Sequence, residues 1–258
     1  MGLLLKAGIN IDLIKSSLIA FCTISCLILI INFVPYLKNK LPNYSLQLGG
    51  LIGNTSFLGI PIAIALLPTN TINFTIGFDL GTTLFAWIFG PYLLQKNTKN
   101  NDALNFKRLA LSIINSPASK GIIGVLIIYL FSLEKFLGDA LWIPARIVIF
   151  LAIIVVGTRL GMITKDKSEL FDMRYGINYS IITKLFCYPI IIFTTCTFLN
   201  FNKIEVLALV LQAGTPSAIS TILMAEAYKK NRDIAAKTLF TTTIISILTI
   251  PFITILFK

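Results

Sequence analysis

The stretch LQLGGLIGNTSFLGIPIAIALLP, from Leu46 to Pro68, is long and apolar enough to cross a bilayer. Its middle is nevertheless built from residues that a membrane helix avoids: Gly53, Asn54, Thr55, Ser56, Gly59 and Pro61. In a helix interior glycine costs about 1 kcal/mol and proline about 3 relative to alanine. A backbone group freed at mid-membrane finds no water there. Irregular chain survives at that depth only where it is buried in protein or lines a cavity. The stretch therefore predicts a crossing that breaks halfway, with Gly59 and Pro61 as the hinge.

A second stretch, from Glu205 to Tyr228, repeats the pattern, with apolar flanks around Gln212, Gly214, Thr215, Pro216 and Ser217. Two interrupted membrane segments in matching places point to the binding site of a transporter. At each break the free N–H groups and the positive dipole end of one half-helix face the gap, and both suit an anion such as a carboxylate. Side chains such as Asn54, Thr55 and Gln212 can hold a substrate's polar edges. Taken alone, Asn54 or Gln212 reads equally well as an interhelical hydrogen bond. Their paired placement beside Gly53 and Pro216 favours a site.

Composition agrees with a membrane protein. The chain has 258 residues, 56% of them hydrophobic, and its mean hydropathy is +0.85. No linker or low-complexity block divides it, so residues 1–258 read as a single membrane domain. The net charge of +11 suggests nucleic acid at first sight. The basic residues, however, lie in short loops between apolar spans, where they set orientation, so no nucleic-acid partner is expected. Cys22, Cys26, Cys187 and Cys196 all fall in apolar spans and read as single buried thiols, with no disulfide framework and no metal signature. The sequence contains no histidine, which removes His-based triads, His zinc sites and His proton relays. Neither an enzyme nor a cofactor or metal site is expected. The run after Lys15 is too long for a signal peptide and lacks a small-residue cleavage site.

Eight spans are predicted, at about 16–36, 46–67, 72–94, 117–133, 141–162, 176–199, 205–227 and 238–257. The segment Phe106–Ile114 reads as an amphipathic interfacial helix. Lysine and arginine crowd the loops after the first, third, fifth and seventh spans, whereas the intervening loops hold only Lys135 and Lys203. The rich loops are then cytoplasmic and both termini lie outside. Spans one to three (16–94) and six to eight (176–257) each surround a broken segment, and an offset of five spans inverts one block relative to the other. Cys26 to Gly53 and Pro189 to Pro216 are equal separations, in keeping with an inverted repeat. Spans within 117–162 are left as scaffold. Among charges inside spans, Asp79 is a candidate for ion or proton coupling. Lys184 is a candidate for the same coupling and an attractor for the anion; for Asp79 the alternatives are an ion pair with Lys184 or a place in an outer water-filled vestibule. Lys120, Arg146 and Arg159 read as snorkelling side chains.

GNTSFLGIP, from Gly53 to Pro61, resembles the N-T-x-x-x-G-I-P pattern in the fourth helix of the auxin efflux carrier family. Thr215-Pro216 followed by Met224-Ala225-Glu226-Ala227-Tyr228 is similar to that family's ninth helix, and Thr241-Thr242-Thr243 with Ile250-Pro251 to its tenth. Lys184…Pro189 and Asn115-Ser116-Pro117 match weaker family habits. The resemblance implies an all-α fold of two inverted five-helix repeats, with helices one, two, six and seven as a scaffold, often a dimer interface. The remaining helices would move past it as an elevator. It implies export of the auxin anion in plant members and dicarboxylates such as malonate or malate in bacterial ones. Two departures stand out. Gly53 replaces the proline that precedes the asparagine in plant carriers. The first span here also aligns with the family's third, so that Gly2–Ile14 corresponds at most to a remnant of the second helix. A truncated, non-transporting remnant or membrane assembly subunit is the alternative reading. The leading one is a small-organic-anion permease in the bilayer, expected in a bacterial inner membrane, with homodimerisation through the scaffold helices.

Overall fold

The computed structural model describes residues 2–95, 114, 117–163 and 176–256. The interfacial helix expected at Phe106–Ile114 lies, apart from Ile114, outside these residues. The described chain is helical. The short α1 (Gly2–Ala7) leads into α2 (Ile11–Phe33), a short helix α3 (Pro35–Lys40), and α4 (Tyr44–Leu51). After a break come α5 (Thr55–Leu66) and α6 (Ile72–Gln95). Helices α7 (Pro117–Leu130) and α8 (Glu134–Ile163) form the middle of the chain. The second half holds α9 (Ile177–Phe198), α10 (Lys203–Ala213), α11 (Ile219–Ala227) and α12 (Arg232–Leu256).

Four stretches among the described residues are long and apolar enough to cross a membrane unbroken: Ile11–Phe33, Thr69–Leu94, Ile177–Phe198 and Arg232–Leu256. They surround the two interrupted crossings, α4–α5 and α10–α11. All of Ser45–Leu51 in α4 and all of Val206–Ala213 in α10 are buried. The long helices bury one face and turn the other outward, exposing Leu29 and Phe33, Ile190 and Phe198, and Leu248 and Phe252. Water would not tolerate such an exterior, but lipid does. The protein is a multi-pass integral membrane protein.

Helix edges follow caps rather than hydropathy. The first long helix starts at Ile11, ahead of the expected 16, because Asn10 accepts a hydrogen bond from the Leu13 N–H (2.9 Å). It ends at Phe33, since Val34 precedes Pro35 and takes extended backbone (φ −91°, ψ 110°). The last long helix likewise starts early, at Arg232, because its first turn is charged and leaves no hydropathy signal. The cysteines correct one expectation. Cys196 is buried, but Cys22, Cys26 and Cys187 lie on outward faces. An apolar span places a thiol in lipid as readily as in a protein core.

Packing joins the blocks crosswise. Helix α2 lies along α6, while α4 packs on α9 and α12 of the other block, and α10 packs on α6 as well as on its own neighbour α9. The α2–α6 approach is close because Gly77 and Gly81, one turn apart, present bare backbone to it. A Cβ on Gly77 would overlap the Leu13 carbonyl, and one on Gly81 the Ser17 carbonyl. The loops sort by end as their charge suggests. Asp12, Asn70, Asn202 and Lys203 share one shallow hollow, while Asn43, Leu94, Lys230 and Asn231 share another. The charge-poor turns thus meet at one end, and the lysine-rich ones at the other.

Candidate functional site at the crossing of two broken helices

Each interrupted crossing comes apart for a few residues, and the two gaps meet. Gly53 and Ser217 form an isolated antiparallel bridge. The Asn54 N–H donates to the Pro216 carbonyl at 2.7 Å, and the Ala218 N–H donates to the Ile52 carbonyl at 3.0 Å. Backbone groups that leave one helix are therefore satisfied by those that leave the other. The Ser217 hydroxyl donates to the Gly49 carbonyl near the end of α4 (2.5 Å), and the Ser217 N–H donates to Thr242 Oγ1 (3.1 Å). The Thr215 hydroxyl closes α10 by donating to the Gln212 carbonyl at 2.7 Å.

Gly53 is required for close approach rather than for unusual backbone angles, because it does not adopt a positive φ. A Cβ there would lie 2.5 Å from Thr215 Oγ1 and 2.9 Å from Lys184 Nζ. Gly214 is likewise hemmed in, with Ile253 Cδ1 2.6 Å from where its Cβ would stand. Gly59 and Pro61 do not form the break that the sequence suggests; they lie a turn beyond it, inside α5. A Cβ on Gly59 would overlap the Gln212 amide.

Pro61 has a different local effect. Proline gives no N–H and crowds the carbonyl four residues back. The ladder therefore widens ahead of it, and the Ile60 N–H reaches back five residues to Thr55. The same device recurs in α9, where the Tyr188 N–H reaches Thr183, five residues back, just before Pro189. Both sites read Thr-x5-Pro: TSFLGIP at 55–61 and TKLFCYP at 183–189. The sequence carried this signal, and helix periodicity alone passes over it.

The two charges at the crossing do not pair with each other. Asp79 stands at the start of α5, where Thr55 and Ser56 donate their hydroxyls to its Oδ1 at 2.6 and 2.5 Å. Lys184 is fully buried at the end of α10, where it donates to the Ala213 carbonyl at 2.6 Å. Its Nζ lies 4.8 Å from the centre of the Tyr188 ring. An acid at a helix N-terminus and a base at a C-terminus both complement the helix dipole. One charge from each block thus tends one half-helix end. Tyr188, which flanks Lys184, escaped sequence reading because an aromatic residue in an apolar span carries no distinguishing signal.

Polar capacity remains unused at the centre. Asn54 Nδ2 and both amide atoms of Gln212 are buried without a hydrogen-bond partner. Leaving such groups unmet costs about 1–3 kcal/mol each. A small polar ligand held here would supply the missing partners, and the buried Lys184 ammonium gives the place a positive side.

An all-α membrane protein with two broken helices joined at their gaps has the architecture of a secondary transporter. A family profile described as membrane transport protein matches residues 5–254, and the chain belongs to that family, the auxin efflux carriers. An uncharacterized transporter from Methanocaldococcus jannaschii is 24% identical over 212 residues, which cover 79% of this chain and 67% of that protein.

Proposed function

We propose that the protein carries a small organic anion, in particular a carboxylate, across the membrane, and that the anion binds between Gly53–Ser56 and Gln212–Ser217. The observation that carries this is the set of unpartnered amides of Asn54 and Gln212 beside a buried lysine, at the joint of two broken helices. Lys184 offers further N–H donors beyond the one used on Ala213, and the start of α11 adds the positive end of a helix dipole. Asp79 holds the start of α5 through the hydroxyls of Thr55 and Ser56.

The cross-packed blocks, α2–α6 and α9–α12, would travel together as the transport core. The central helices α7 and α8 would serve as scaffold and as the contact between two copies. This elevator arrangement is supported by the burial of both broken helices among elements of both blocks. A bacterial inner membrane is the setting that fits the inherited substrates.

The decisive experiment is flux of radiolabelled malonate, malate and indole-3-acetate into proteoliposomes containing the wild type or Asn54→Ala. Loss of a hydrogen bond to a charged ligand is worth about 1.5–3 kcal/mol, so transport of the accepted anion should fall about 10- to 100-fold. Unchanged flux in a correctly inserted variant would overturn the assignment.

A further inference from the structure

The inverted pair of blocks is unequal in one respect: among the described residues, only the first brings an acid to the crossing. We propose that Asp79, Thr55 and Ser56 form a monovalent-cation site, and that sodium bound there accompanies the anion; this rests on the anion-carrier reading above.

The oxygen atoms converge in a way that a hard cation uses. Thr55 Oγ1 and Ser56 Oγ both lie on Asp79 Oδ1, at 2.6 and 2.5 Å, and Thr55 Oγ1 is 3.5 Å from the Gly53 carbonyl. Hydroxyls are donors and acceptors at once. When a cation arrives they rotate their protons away and present lone pairs, while the carboxylate supplies the charge. Asp79 as a residue is only partly buried. The wall beyond is polar and unsatisfied. Gln212, fully buried, presses its unpartnered amide on Gly59, one turn along the same half-helix.

The charge count selects a monovalent ion. One carboxylate surrounded by neutral oxygens balances a single positive charge, whereas divalent calcium sites gather several carboxylates. Among the described residues no group of three or more His, Cys, Asp or Glu could hold a metal ion. Electrostatics then links the two ligands. Lys184 and Asp79 offset each other. An anion added beside Lys184 leaves a net negative charge in a low-dielectric place, and a cation at Asp79 cancels it.

The test uses the full chain in nanodiscs. Apparent Tm is followed in sodium, potassium and choline chloride at constant ionic strength and at several pH values, alongside retention of 22Na+. Wild type should show a saturable rise of about 3–6 °C when sodium is raised about tenfold above its Kd, with no comparable rise in choline. Asp79→Asn should abolish both the shift and the retention. Ser56→Ala, a milder change that leaves the carboxylate in place, should weaken apparent sodium affinity. Asn54→Ala should keep the sodium shift even where it loses anion flux, which separates failure of this site from failure of the carrier reading. Identical Tm in sodium and choline, a response to pH alone, or a sodium shift that survives Asp79→Asn would each overturn the proposal.

Discussion

Gly81 allows the first block to close. Its α-carbon faces the Ser17 carbonyl so tightly that a methyl group would overlap main chain, which cannot swing aside as a side chain would. Gly77 faces α2 in the same way. Asp79, two residues on from Gly77 and so about 200° around the helix, points instead toward the start of α5. Three residues in a row of five therefore serve two neighbours. Gly81→Ala should destabilise the protein by about 1–3 kcal/mol through overpacking, read as a fall of several degrees in Tm. Gly121 has open space around it, and Gly121→Ala should leave Tm within about 1 °C by comparison. Asp79 and Lys184 could be singled out in the sequence because ionised groups inside spans are costly. Thr55 and Ser56 were picked out as well, but for the break; their pairing with Asp79, and that of the Ala213 carbonyl with Lys184, leaves no pattern along the chain. The alternative reading of an ion pair between Asp79 and Lys184 fails because each charge already has a helix end to neutralise.

At the scale of elements, α10 is held at both its ends, by Thr215 at the break and by a cap at its start. The N-terminus of α10 carries a capping box: Asn202 accepts from the Glu205 N–H at 3.0 Å, and Glu205 accepts from the Asn202 N–H at 3.0 Å. This cap lies outside the apolar core but fixes where a helix that contributes Gln212 begins. Asn202→Ala should cost about 1 kcal/mol, measured as a Tm decrease of about 2–4 °C, while anion affinity stays near that of the wild type. Both breaks were legible because glycine, proline and small polar residues gather in otherwise apolar runs. The exact point of interruption was less so. Pro61 looks like the breaker, yet it is accommodated by widening the ladder behind it, and the chain departs from helix at Ile52–Asn54 instead. What decides the matter is the opposite break at Pro216–Ala218, a tertiary contact more than 160 residues away in the chain.

For the whole molecule, the all-helical, multi-pass character and the places of the four long apolar helices were readable, because lipid demands long apolar runs. How α4 comes to lie on α9 and α12 was not readable, since hydropathy says nothing about which apolar face meets which. The alternation of loop charge makes a prediction about sidedness. In a variant whose native cysteines are replaced, Asn70→Cys should react with a membrane-impermeant maleimide added outside intact cells. Asn231→Cys should react only after the cells are opened. Labelling of both from outside would refute the orientation.

The seam between the halves consists of peptide groups: an amide hydrogen from each half rests on a carbonyl of the other. Any sequence with small residues there keeps that seam. Substitutions around it can therefore retune what is carried without unfastening the machinery that carries it, so relatives with unlike cargo should share the same fastening.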